Sequence, residues 1–337
     1  MRFRTILIIS ALTCAVPLMA ETNYRLLHKI VLGGEGGWDY FEVEPDTGRI
    51  FIPRESHIQV LDSDGKLLAD ILHVKGAHAI VFAPELKRAF LSTDGSVTIL
   101  DTATLKVAGE VRLPDKDPDA IVYDPYSKRV FTFNGGGTND ATAVDAQSGK
   151  VLGSIPLGGK PETAQADGSG HIYVNVEDKN KIAAFDSKTL KVLNTWPLSP
   201  CEEPSGLAID VAHKRLFAGC HNQLMAVVDY TNGKVVATVP IGKGVDANRF
   251  DPGTGLAFAS CGDGAITAAH ADASGKFSVV QTIQTRRGAR TMALDPKNHK
   301  VYTVTSEFGP PPAPTAERPH PYPAVISKTF TLLIFGQ

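Results

Sequence analysis

The sequence is short of tryptophan, net charge and catalytic signatures, and each shortage closes off a class of function. Two tryptophans, Trp38 and Trp196, in 337 residues leave little for stacking along single-stranded DNA. Lys plus Arg number 34 against 36 Asp plus Glu, a formal net charge of −2. Nucleic acid is therefore an unexpected partner, because no strongly basic patch offers to hold its backbone. No run after residue 20 is long and apolar enough for a membrane helix. Gly-x-Ser-x-Gly, Cys-x-x-Cys-His, His-Glu-x-x-His and a P-loop are all missing. Their absence removes the sequence signals of a nucleophile elbow, c-type haem attachment, zincin chemistry and a nucleotide-phosphate cradle.

Residues 1–20 read as a secretory signal. Arg2 and Arg4 supply the charge, and Ile6 to Val16 form an apolar stretch too short to span a bilayer. Pro17-Leu-Met-Ala20 offers a cleavage site, and Cys14 follows Leu12 and Thr13 in a poor lipobox. The expectation is a periplasmic or secreted protein, 21–337 being one domain in which disulfides are permitted.

A repeated module fills the rest. Gly206-Leu-Ala-Ile-Asp-Val-Ala-His-Lys-Arg-Leu-Phe-Ala-Gly-Cys220 gives two apolar runs around a turn. Gln223 to Asp229 and Gly233 to Gly242 add two more. Runs this short and this rich in Val, Ile, Leu and Phe read as strands, and four in about 40 residues make one propeller blade. Equivalent turns recur at 45, 84, 125, 167, 211, 252 and 296, spaced 39, 41, 42, 44, 41 and 44 residues apart. The expected fold is all-β, a seven-bladed β-propeller. The last repeat holds three strands, while Arg25 to Gly33 looks like a fourth strand with no blade before it. That segment is expected to complete the last blade and close the ring, which leaves no bare edge to invite a partner copy. A monomer is expected.

Three cysteines follow residue 20: Cys201, Cys220 and Cys261. Cys201 precedes the inner strand of the fifth blade and Cys220 ends its second strand, positions that open on one face. Cys201–Cys220 is the expected bond. Cys220–Cys261 between adjacent blades is the rival, and three free thiols fit an exported protein less well.

Inner strands converge on the central channel, so the residues that open them should ring one mouth. They are Asp39, His78, Asp119, Glu162, Ser205, Asp246 and Arg290. The loops after the second strands would add His57, Asn134, Glu177, Asp178, His221, Asp263 and Glu307, with Trp38 beside Asp39. These groups cap strand ends and face water, or they take a ligand. Among them Asp39, His78, Asp119, Glu162 and Asp246 are the candidate ligands of a divalent cation: oxygen donors suit Ca²⁺ or Mg²⁺, and His78 admits a transition metal. The long loop 309–324 holds seven prolines and reads as irregular, with polyproline character, on the same face.

Gly158-Gly-Lys-Pro-Glu162, Cys201-Glu-Glu-Pro204, Gly219-Cys-His-Asn222, Arg287-Gly-Ala-Arg290 and Glu307-Phe-Gly-Pro310, set among Val-x-Asp-x-x-x-Gly-Lys-Val turns, resemble the YncE-like (YVTN-repeat) bacterial β-propeller family. The resemblance spans residues 24–337 and implies an exported seven-bladed propeller. A literal Tyr-Val-Thr-Asn is absent; Val174-Asn175 and Val304-Thr305 are what remains of it. The expected role is a binding or interaction scaffold, with a small molecule or a periplasmic protein at the mouth. A metal-assisted lyase or lactonase at the same mouth is the alternative, and single-stranded DNA binding a second one. The first is motivated by the Asp/Glu/His ring, with related propellers as the analogy, and the second by the resemblance alone; neither has a complete motif.

Overall fold

Turn chemistry sets where the strands begin and end. In the connection to the outer strand of the third blade, Asp145 Oδ1 accepts the N–H of Ser148 at 2.7 Å, and Gly149 follows at φ 72°. Asp229 does the same for Thr231 at 3.0 Å, ahead of Gly233 at φ 75°. Asp101, Asp186 and Asp272 head equivalent turns. Hydrogen bonds from hydroxyl and N–H groups within these turns hold all five carboxyls below the usual range. The recurring Asp and Gly of the repeat are thus a turn device, and they say nothing about ligands.

The computed structural model describes residues 23–315 and 323–337. Residues 1–20, expected to be the signal, lie outside the described residues, as does 316–322 of the proline-rich loop. The strands assemble into seven four-stranded antiparallel sheets, six of them running from an inner strand to an outer one in chain order and the last taking its outer strand from the start of the chain. The blades cover 42–77, 80–112, 121–156, 161–197, 204–240, 245–284, and 292–336 with 25–31. In every blade the pairing of third and outer strand shifts register, as at Ala143/Val144 and Val227/Val228, and in the first blade it does so twice. Such bulges add twist, which a blade needs in order to fan out from the channel. Among the described residues, no helix is long and apolar enough to cross a membrane.

Every second strand carries a buried aromatic at the same position: Phe51, Phe90, Phe131, Tyr173, Phe217, Phe258 and Tyr302. These rings fill the wedge between neighbouring blades. Phe51 meets Phe82 at 5.1 Å, Phe131 meets Phe185 at 5.3 Å and Phe217 meets Phe250 at 5.3 Å. Contacts of this kind contribute beyond the area they bury.

The ring closes as expected. Strand Arg25–Val31 pairs antiparallel with Thr331–Gly336, from Arg25↔Gly336 to Val31↔Thr331. Tyr24 locks this strand to the sixth blade. It is 2% exposed and packs edge-on to Phe258 at 5.2 Å. Its hydroxyl donates to the His299 carbonyl at 2.8 Å. Its backbone N–H and C=O are both engaged by the Gln281 amide, at 3.0 and 2.7 Å.

A disulfide joins Cys201 to Cys220, with Cα atoms 5.7 Å apart and a sequence separation of 19. Cys261, the rival partner, is free and buried, and its burial pushes the thiol up to about 12.

Two outcomes are expected of these contacts. Tyr24→Ala should lower unfolding stability by about 3 kcal/mol and Gln281→Ala by about 1 kcal/mol, read as urea midpoints. Replacing Cys201 and Cys220 together by serine should cost about 3 kcal/mol, from the loop they close. Thiol titration of unfolded, unreduced chain lacking residues 1–20 should find Cys261 alone.

Candidate functional site at the channel mouth

The wall of the mouth is built before any charged group reaches it. Gly33-Gly-Glu-Gly-Gly37 turns back on itself with φ of 66° at Gly33, 79° at Gly34 and 90° at Gly36. These turns point carbonyls inward, and Arg54 collects them. Its guanidinium donates to the carbonyls of Gly33 at 3.3 Å, Glu35 at 2.9 Å, Gly36 at 3.0 Å and Gly37 at 2.9 Å, and to Gln59 Oε1 at 3.0 Å. It also lies 3.6 Å from the ring centroid of Phe330. Arg54 is 1% exposed, and burial pulls it down to about 10. The loop so held presents Trp38, which packs against Phe330 at 5.2 Å and Phe308 at 6.3 Å.

Trp38 and Phe308 form one side of a cavity of about 820 Å³. From the expected mouth residues it gathers Glu162, Ser205, Asp246 and Arg290, and from the loops Glu177, His221 and Asp263. Lys243, Arg287, Pro323 and Val325 complete much of the rim. Pro323 and Val325 stand at the base of the proline-rich loop. That base is tied by a hydrogen bond from Gly309 N–H to the Ala324 carbonyl at 2.9 Å and another from Ile326 N–H to the Glu307 carbonyl at 2.8 Å.

The charges are distributed unevenly. Lys160 Nζ bridges Glu162 at 2.6 Å and Glu177 at 2.5 Å. Asp246 faces Arg290 Nε at 3.5 Å. His221 Nδ1 stands 3.5 Å from Glu203 and 3.9 Å from Glu177. Asp263 caps the Lys243 N–H at 2.7 Å. Burial, then the neighbouring Glu177 charge, pushes Glu162 up to about 7. Burial pushes Asp246 up to about 6. The neighbouring carboxylates and burial hold the Tyr40 phenol, beneath the mouth, well above its ordinary value, burial being the larger cause.

Asp39, His78 and Asp119 form a second group on the first three blades. One ligand atom from each lies within 4.8 Å of the others, and His78 Nδ1 is 3.6 Å from Asp39 Oδ2.

Two expected mouth residues sit elsewhere. His57 lies inside strand Glu55–Leu61, opposite Leu72, with Nε2 3.8 Å from Asp70; it does not line the cavity. The first blade's connection is a tight turn at Arg54–Glu55, so the strand has already resumed at His57. Asn134 is the last residue of Arg129–Asn134, and alternation turns its side chain inward. It is fully buried and donates to Asp140 Oδ1 at 2.7 Å and Thr142 Oγ1 at 3.0 Å, which serves the turn. Asp178 and Glu307 stand outside the cavity lining, Asp178 accepting from Lys160 N–H at 2.7 Å and Glu307 lying 3.8 Å from Arg286. Conversely, Lys243, Arg287, Phe308, Lys160 and Arg54 were not expected at the site. Lys243 and Arg287 occupy the short stretches just ahead of inner strands, and that position was the available signal.

No family model matches the chain, and no curated protein matches it. Among solved structures, a WD40 propeller chain from a mitotic checkpoint complex superposes with a TM-score of 0.75 at 11% identity. The match covers 100% of this chain and 99% of that one. At that identity the likeness carries the fold, a seven-bladed propeller, and nothing about ligands.

Glu162 generates a pH prediction. Its carboxyl ionises near 4.5 when unfolded and at about 7 when folded. Ionising it therefore disfavours the folded state, and stability should fall as pH rises from about 5 to about 8. In EDTA, Glu162→Gln should flatten that decline by about 2–3 kcal/mol, the equivalent of the raised pKa discounted for residual solvent. Urea midpoints across the range measure it; an unchanged slope would contradict the assignment.

Proposed function

We propose that the protein is an exported binding scaffold of the YncE-like kind whose ligand is a small organic anion with an apolar or aromatic body. The observation that carries this is the pairing of two free cations with an aromatic wall in one cavity. Lys243 and Arg287 line the cavity with Trp38 and Phe308, and among the described residues no salt bridge engages either cation. The carboxylates, by contrast, are for the most part engaged: Lys160 bonds Glu162 and Glu177, Asp263 accepts the Lys243 N–H, and Arg290 stands 3.5 Å from Asp246. A volume near 820 Å³ falls within the ordinary range for small-ligand sites. A carboxylate or phosphate ester would take the two cations, and its body would lie on the rings.

Export rests on the signal expected in residues 1–20 and is supported by the Cys201–Cys220 bond, which suits an oxidising compartment. Closure covers the edge of Thr331–Gly336 and leaves only the short outer edges of the blades, in keeping with a monomer.

A thermal-shift screen of organic carboxylates and phosphate esters against neutral and cationic analogues tests the proposal. Anions should dominate the hits. Lys243→Glu with Arg287→Glu should weaken the best of them at least tenfold, and Trp38→Ala about tenfold. A preference for neutral or cationic compounds, or affinities untouched by the double reversal, would overturn it.

A further inference from the structure

We infer that Asp39, His78 and Asp119 form a binding site for a divalent first-row transition-metal ion, separate from the cationic pocket described above. Three neighbouring blades deliver the ligands from one structural position, the approach to the inner strand. The first three inner strands are Glu42–Val43, Ile80–Ala83 and Ile121–Asp124. Each candidate stands two or three residues ahead of its strand, so the convergence of the blades brings the three side chains together. Their ligand atoms lie within 4.8 Å of one another.

A second observation concerns Asp119 itself. Its Oδ1 is shut off from solvent and accepts no hydrogen bond, in a residue that is otherwise half-buried. A buried carboxylate oxygen without a donor forfeits a large part of its solvation. The protein supplies that oxygen with no partner, while Asp39 and the His78 imidazole crowd the same space. An ion placed among the three would answer the unpaired oxygen and the repulsion between the two carboxylates at once.

The spacing fits. His78 Nδ1 and Asp39 Oδ2 are 3.6 Å apart, beyond good hydrogen-bond range. Ligands held about 2.1 Å from one ion stand roughly 3.0–3.4 Å from each other. For that pair a few tenths of an ångström would close the difference, and the group as a whole, within 4.8 Å, has to contract by at most about 1.5 Å through side-chain rotation. Two carboxylates and one imidazole favour Mn²⁺, Fe²⁺, Co²⁺ or Zn²⁺ over Ca²⁺ or Mg²⁺, which prefer oxygen alone. Three protein ligands leave the remaining positions to water, as in an open site. Asp117 and Asp246 also face this end of the channel, Glu162 bears on Asp119, and all three add negative potential. Arg290 lies beyond Asp246 and bears on that residue.

The test uses full-length folded protein stripped with a chelator and then dialysed. Isothermal titration with Zn²⁺, and Mn²⁺ titration followed by electron paramagnetic resonance, should each give one saturable site per chain. Asp119→Asn keeps shape while removing charge, and His78→Gln keeps a polar side chain; each should weaken binding at least tenfold. Asp178→Asn, outside the cluster, should leave it unchanged. Lys243→Glu with Arg287→Glu should retain the metal site, so loss of organic-anion binding and loss of metal binding are read separately. Unfolding midpoints confirm that each variant is folded, and metal should raise the midpoints of wild type and of the variants that keep the site, but not those of Asp119→Asn and His78→Gln. Absence of a saturable site in stripped wild type, or equal affinity in Asp119→Asn and His78→Gln, would overturn the inference. So would Ca²⁺ binding with Mn²⁺ and Zn²⁺ excluded.

Discussion

The pairing of Arg25–Val31 with Thr331–Gly336 is the constraint on which everything else rests. Each blade packs against two neighbours, so the wedge of aromatic rings between blades is complete only when the ring is closed. The two ends of the chain meet in a single sheet, and Tyr24 with Gln281 pins that sheet to the next blade. The mouth depends on this closure directly. Trp38 and Asp39 lie on the segment leaving the closing strand, and Phe308 and Arg290 belong to the blade that it completes. A gap at the closure would therefore open between the residues that form the aromatic wall.

Much of this was legible because the determinants are local and repeated. The Asp and Gly of the outer turns act within five residues of one another, and one aromatic in each second strand serves every interface. A spacing of about 40 residues then counts the blades without knowledge of any contact. The disulfide followed from the same logic, since topology placed Cys201 and Cys220 on one face. Site residues were less legible where a single position decided the outcome. His57 falls inside a third strand and Asn134 at the end of a second one rather than in the loops between, and one step along a strand reverses the face a side chain takes. Arg54 was invisible for another reason. Its partners are backbone carbonyls of a glycine loop, and no residue type announces an exposed carbonyl.

The mouth mixes its charges unevenly. Blades one to three contribute carboxylates and one imidazole with no cation among them; the sixth and seventh contribute Lys243, Arg287 and Arg290 together with Asp246 and Asp263. A nearly neutral chain thus carries locally unbalanced charge, which a net charge of −2 conceals. An overall charge count describes long-range steering and solubility. It is blind to charge placed unevenly around a channel only a few side chains wide.

Arg54 is fixed by neutral acceptors and an aromatic face, with no carboxylate in its shell of hydrogen bonds. Neutral carbonyls neither titrate in the physiological range nor suffer much from screening by salt. The frame that carries Trp38 is consequently indifferent to pH and ionic strength over a span in which Glu162 and Asp246 exchange protons beside it. The mouth can change its charge while keeping its shape, so acidification would alter which ligands are held without altering the room available to them.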